Sequence, residues 1–271
     1  MLPIFEKLEN VKISTLDLLQ PEDKTYCEKI FNLYNAHYSF IKNLLDKTSG
    51  DYTNHLAQFP LDIKDFYHAM YYMDKYFEGL EGIKYSLEER VITKIENYFK
   101  ELYNIVFDRY EIKNKESLSL ENIIDNIIQQ SGTDLTEAGK MQIITTFQKN
   151  FFRQSKQPLL KNNKISLPNY FCIRAVLMSD DISLEYNDKE VNILLDALAL
   201  FLFDTTNKPE IFIAQLEEWK QNIDFSKSYS VQNDVSIKFF KNRRIDIAFN
   251  ETEMADKFWE KFQLENIAAN N

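Results

Sequence analysis

Two cysteines, five glycines, six prolines and three histidines in 271 residues leave several kinds of chemistry without their usual parts. Cys27 and Cys172 form no Cys-x-x-Cys pair and no spaced framework, which excludes a disulfide scaffold and fits two reduced thiols. Gly50, Gly79, Gly82, Gly132 and Gly139 compose neither a Gly-x-Gly-x-x-Gly turn nor a phosphate loop, so the usual glycine-lined nucleotide fold is not encoded. No Gly-x-Ser-x-Gly elbow is present, and neither cysteine has a histidine near it in sequence. His37, His55 and His68 are scattered; Asp65 and His68 share a helix face, but no second such pair exists to complete a bundle metal site. The most apolar run, Val191 to Phe203, is interrupted by Asn192 and Asp196 and falls short of the ~20 residues that span a bilayer. The first residues, Met-Leu-Pro-Ile-Phe-Glu, have no basic and long apolar regions of a signal peptide. The expectation is a soluble cytoplasmic protein with no membrane partner, no metal and no cofactor.

What is present is helical periodicity. The 44% hydrophobic content is ample for a core, and few glycines argue against a barrel. Apolar positions from Ile30 to Leu45 predict a helix from Pro21 to about Lys47, stopping at Thr48-Ser49-Gly50. A second helix is expected from about Leu61 to Phe77, broken at Gly79 and Gly82. Ser86 and Glu89 read as a capping box for a third, carrying Ile92, Ile95, Phe99, Leu102 and Val106 to about Tyr110. The polar stretch 113–117 is the best linker, dividing a helical region 1–114 from a region 115–271. Ser119 caps an expected helix through Gln130, and another starts near Leu135. Pro158 and Pro168 bracket a polar loop, followed by short helices at Tyr170–Met178, Lys189–Phe203 and Pro209–Gln221. After Ser228 the period changes to two: Val235, Ile237 and Phe239 alternate with Ser236, Lys238 and Phe240, and Ile245, Ile247 and Phe249 with Asp246 and Ala248. That is a β-hairpin, with Asn250 as the expected N-cap of a last helix carrying Met254, Phe258 and Phe262. The fold class is α+β, predominantly α-helical: a helical body with a C-terminal β-hairpin and a terminal helix.

The formal charge of −10 disfavours non-specific duplex binding by the averaged surface. Residues 138–179, however, contain no acid and carry Lys140, Lys149, Arg153, Lys156, Lys161, Lys164 and Arg174. Lys238, Lys241, Arg243 and Arg244 form a second basic group at the hairpin turn. Together they are the candidate anion-binding residues, facing nucleic acid or an acidic protein, with internal pairing to the chain's own acids as the competing reading. The aromatic run Phe66 to Tyr72, with Tyr76 and Phe77, has the composition of a base-stacking platform and equally of a packed core or subunit contact. Asp62-Ile63-Lys64 and Glu111-Ile112-Lys113 have the acid-x-Lys form of some nuclease centres, on segments expected to be helical.

The stretch Val235 to Asn242, Ile245 to Phe249 and the helix from Glu251 resembles domain-of-unknown-function family 4942, of bacteria, prophages and other mobile elements, sometimes attached to a DNA methyltransferase domain. Phe151-Phe152-Arg153 and Lys156-Gln157-Pro158 are similar to that family's basic aromatic segment, and the likeness covers about residues 115–265. Arg243 and Asp246 stand where the family pattern has glycine and histidine, so no role of that histidine carries over. Leu167-Pro168-Asn169-Tyr170-Phe171 is similar to the Asn/Asp-Pro-Pro-Tyr/Phe motif of amino-methyltransferases but lacks its leading residue and second proline, so the chain is not a self-contained methyltransferase. The resemblance implies a setting in mobile-element DNA biology, near a methyltransferase-associated system, and no catalytic residue. No convergent catalytic set can be assembled from the sequence. The expected function is therefore a non-catalytic accessory or interaction module, with a metal-dependent nuclease or hydrolase, or an oligomeric assembly protein, as alternatives.

Overall fold

The computed structural model describes residues 14–58, 67–111, 118–152, 157–176, 181–185 and 188–265. Contacts divide the chain into one unit of Met1–Lys100 with Phe107–Thr133 and another of Glu101–Val106 with Asp134–Asn271. Among the described residues, no helix is long and apolar enough to cross a membrane.

The first unit is helical. A 3-10 turn at Thr15–Leu18 precedes α1 (Pro21–Gln58), α2 (Tyr67–Tyr103) and α3 (Leu120–Ser131). Neither α1 nor α2 stops where turn residues predicted. Helix α1 continues through Thr48-Ser49-Gly50, and α2 continues through Gly79 and Gly82. Each glycine costs about 1 kcal/mol relative to alanine in a helix interior, and buried Leu80, Val91, Ile92, Ile95 and Phe99 in the same helix outweigh it. Ser86 is consequently an interior residue of α2 and no cap. Helix α2 ends at Tyr103, not near Tyr110, because Asn104 adopts a left-handed φ of 54°. Residues 104–111 then run without regular structure, burying Ile105 and Phe107.

Helix α3 is as read. The Ser119 hydroxyl accepts from Asn122 N at 3.1 Å, Ile123, Ile124, Ile127 and Ile128 are buried, and Gly132 with φ 83° closes it. By these contacts α3, with its buried isoleucine face, groups with the first unit, and Asp134 opens the longer segment of the second. The proposed linker 113–117, Ile112, the triplet Asp62-Ile63-Lys64 and Asp65 lie outside the described residues, as do the side chains of the aromatic run 66–74, of Tyr76 and of Phe77.

The longer segment of the second unit opens with α4 (Leu135–Phe152). The expected polar loop between Pro158 and Pro168 is a hairpin, β1 (Leu159–Lys161) and β2 (Lys164–Leu167), turning at Asn162 with φ 53°. Over the described residues 170–176 the expected helix at Tyr170–Met178 gives way to a strand: β3 (Ile173–Ala175) pairs with β4 (Ile182–Leu184). Tyr170 N bonds Arg243 O at 2.7 Å and Cys172 N bonds Asp188 Oδ2 at 3.0 Å. Helix α5 (Lys189–Phe203) and helix α6 (Glu210–Gln221) follow, Pro209 standing at the N-cap of α6. Then come β5 (Tyr229–Gln232), β6 (Val235–Phe239), β7 (Ile245–Phe249) and α7 (Thr252–Lys261).

The predicted hairpin β6–β7 is the middle of a five-stranded antiparallel sheet, β1-β2-β7-β6-β5. Ile165 and Leu167 (β2), Ile245, Ile247 and Phe249 (β7), and Val235, Ile237 and Phe239 (β6) point to one face and are buried. They share a core with α5 and with Phe147, Phe258 and Phe262. Phe258 meets Phe249 at 5.6 Å and Phe201 at 5.2 Å between ring centres, so α5 and α7 cover that face. Asn250 does not cap α7. Its amide bonds Asn233 O and Asp234 Oδ1, and Glu251 takes the N-cap position.

Candidate nucleic-acid interface

Because strand side chains alternate between faces, the register fixes what the second face of the sheet carries. Opposite the core lie Leu159 and Lys161 (β1), Lys164 and Ser166 (β2), Asp246 and Ala248 (β7), Ser236 and Lys238 (β6) and Ser230 (β5), all matched in register. Asp246 is the one acid among these outward strand positions. It sits between Ser166 on one side and Lys238 on the other. Its side chain is only 7% exposed, with Arg244 Nε 3.1 Å from Oδ1 and Lys164 Nζ 3.8 Å from Oδ2. Arg244 Nη2 reaches Oδ2 at 3.5 Å. A carboxylate this desolvated needs such partners, and it anchors the cations that cover it.

Phe240 continues the outward phase past Lys238. The guanidinium carbon of Arg244 lies 3.8 Å from its ring centre, and Lys238 Nζ 5.6 Å from it. The β6–β7 turn closes through Phe240 N to Arg244 O at 2.9 Å and Arg243 N to Phe240 O at 2.9 Å, with Arg243 at φ 66°. An arginine held there accepts a conformation that disfavours L side chains. Lys241, Asn242 and Arg243 are exposed at the tip.

The structure thus brings Lys161, Lys164, Lys238 and Arg244 to one face and Lys241 and Arg243 to its end. Lys149 is exposed on α4, and Arg174 is exposed on β3 of the separate two-stranded sheet. Arg153 and Lys156 lie outside the described residues. Lys140 is held by Asp204 at 2.8 Å and Glu137 at 3.1 Å, an internal pairing. The two residues that organise the face, Asp246 and Phe240, were not among the sequence candidates. Their signal was local: an acid and an aromatic standing in the polar phase of an alternating strand pair.

Beside the turn, the loop 169–172 and the start of α5 line an open cleft of about 450 Å³. Asn169, Cys172, Glu190 and the tip of the turn contribute to it, together with the fully buried Tyr170 and Phe171. Asp188 caps α5 beneath it, accepting from Val191 N at 3.2 Å and from Cys172 N at 3.0 Å. Burial pushes the Asp188 carboxyl up to about 6 against those two hydrogen bonds, and Glu190 beside it adds to the rise. Burial also raises the Cys172 thiol, with Glu185, Asp188 and Glu190 adding to it and Arg243 opposing, so the sulfur stays protonated at neutral pH and is a poor nucleophile. Among the described residues, no three of His, Cys, Asp and Glu converge in a group able to hold a metal ion. Comparison of the chain with protein-family models, curated proteins and solved structures finds no match to any of them.

Proposed function

We propose that the second unit is a non-catalytic module that binds single-stranded nucleic acid on the outward face of its five-stranded sheet. The observation that carries this reading is the collection of Lys161, Lys164, Lys238, Arg244 and Phe240 on that face, with Asp246 as its one carboxylate. The cations supply phosphate contacts, and the ring with its stacked guanidinium offers a flat surface to a base. Small outward residues, Ser166, Ser236 and Ala248, leave the surface low enough for bases to approach. A net charge of −10 works against duplex, whose closely spaced phosphates meet the whole molecule's field, and less against a single strand threaded along one face. A setting in mobile-element DNA biology, beside a methyltransferase-associated system, belongs to this proposal on the hairpin resemblance alone.

The test is fluorescence anisotropy of the full chain with single-stranded and duplex DNA across a salt series. Single-strand affinity will fall with salt, and removing one phosphate contact, as in Lys161→Ala, Lys164→Ala or Lys238→Ala, will flatten the log–log slope by about 0.7. Binding that is absent at low salt, or indifferent to salt, ends this reading. The assembly alternative draws on Leu33 (57% exposed) and Phe40 (62%) of α1 and Ile83 (48%) and Tyr85 (62%) of α2. Light scattering that returns the mass of one 32.2 kDa chain removes it.

A further inference from the structure

The cavity at the end of the sheet face has a chemistry of its own. Its volume of about 450 Å³ falls within the roughly 300–1,000 Å³ of small-molecule sites. Its lining carries both signs: a carboxylate, Glu190, and two exposed cations, Lys241 and Arg243, with two amide side chains, Asn169 and Asn242. Tyr170 and Phe171, which also line it, are fully buried. A simple anion would be repelled by Glu190, and a simple cation by Lys241 and Arg243. A ligand that carries a phosphate at one end and a flat, amino-bearing, hydrogen-bonding ring at the other satisfies both. The turn that supplies these cations, 241–243, is flanked by Phe240 and Arg244 of the sheet face, and its backbone is tied to the pocket loop by Tyr170 N to Arg243 O at 2.7 Å.

From this arrangement we infer that the cavity is a nucleotide pocket: it takes one nucleoside monophosphate unit whose amino-bearing base enters toward Glu190 while the phosphate rests at Lys241 and Arg243. The inference rests on the nucleic-acid reading for the source of that unit, a nucleotide at the end of the bound strand, but its chemistry is shared by a free mononucleotide. Glu190 accepts hydrogen bonds and donates none when ionised, so it favours cytosine, whose exocyclic amine donates, over thymine, which presents a carbonyl there. On this reading the left-handed position 243 carries arginine because glycine, which would suit the backbone, has no side chain to reach the phosphate.

Calorimetric titration of the full chain with dCMP, dTMP and inorganic phosphate tests this. The expected result is that dCMP binds about tenfold tighter than dTMP, that both exceed inorganic phosphate, and that Glu190→Gln brings the two nucleotides level. Arg243→Gly relieves the left-handed backbone, so its loss of nucleotide binding is not a loss of fold. Competition against a labelled single strand separates the sources. Displacement of dCMP by the strand assigns the pocket to a strand nucleotide; retention of dCMP beside bound strand assigns it to a free one. Failure of dCMP to bind above inorganic phosphate, or a dCMP to dTMP ratio unchanged in Glu190→Gln, overturns the pocket while leaving strand binding by the sheet intact. Nucleotide binding without strand binding would overturn the sheet reading and leave the pocket.

Discussion

On the proposed reading, replacing Asp246 by asparagine will weaken the second unit and strengthen its binding of a single strand, two effects that share one cause. At the 3.1 Å separation from Arg244, an effective dielectric of about 20 gives a gross attraction of about 5 kcal/mol. Arg244 is 37% and Lys164 49% exposed at the side chain, so water screens most of that, and the loss on removing the charge is about 1–2 kcal/mol. Asparagine keeps the shape, so no cavity adds to the cost. Urea denaturation reads this as a lower midpoint at unchanged slope. On the binding side, the carboxylate occupies the cations that phosphate would use. Its neutralisation frees about one contact, steepening the single-strand salt slope by about 0.7 and raising low-salt affinity several-fold. The refuting result is a variant that is less stable and also binds less tightly, because Asp246 would then be shaping the surface rather than competing with phosphate for it.

Two further outcomes follow from close geometry. In Gly139→Ala the new Cβ would stand 1.9 Å from the Tyr103 carbonyl oxygen; both flanking backbones must move, and thermal denaturation will show a loss of at least about 3 kcal/mol, or roughly 10 °C. Asp188→Asn tests the raised carboxyl. With a folded pKa of about 6 against an ordinary 3.8, the native state holds a proton between about pH 4 and 6 that the unfolded chain has released, so this group's contribution to stability falls as pH rises through that window and is constant above it. Asparagine keeps an acceptor for Val191 N and gives up the one for Cys172 N, a pH-independent cost. Relative to the native chain, the variant will therefore gain up to about 3 kcal/mol between pH 4 and 7 in urea titrations, and a flat difference would refute the assigned shift.

Local features of this chain are written plainly. Helix α5 has the predicted bounds, Lys189–Phe203, because its apolar run is dense and Asp188 caps it. Ser119 and the isoleucines of α3, and the alternation of β6 and β7, were equally readable. The turn signals at Gly79 and Gly82 misled, since a helix penalty near 1 kcal/mol per glycine is small beside the burial of Leu80 and Ile92 in the same helix. Strands of three and four residues, such as β1 and β2, carry too few alternations to stand out from a loop. The helix expected from Tyr170 gives way over residues 170–176 for a different reason: Ile173–Ala175 pairs as a strand with Ile182–Leu184, a tertiary pairing that helical spacing does not reveal.

By itself the sequence determined the helices α3 and α5, the alternation of β6 and β7, and that residues 138 to 179 carry cations without acids. Only tertiary structure decided that Lys161 and Lys164 meet Lys238 and Arg244 across a sheet, that Lys140 is turned to Asp204, and that Asp246 lies under the cations. The physical reason is range. Capping and amphipathic periodicity act within a few residues, whereas the pairing of β2 with β7 joins segments about 80 positions apart, and its register assigns every side chain to a face.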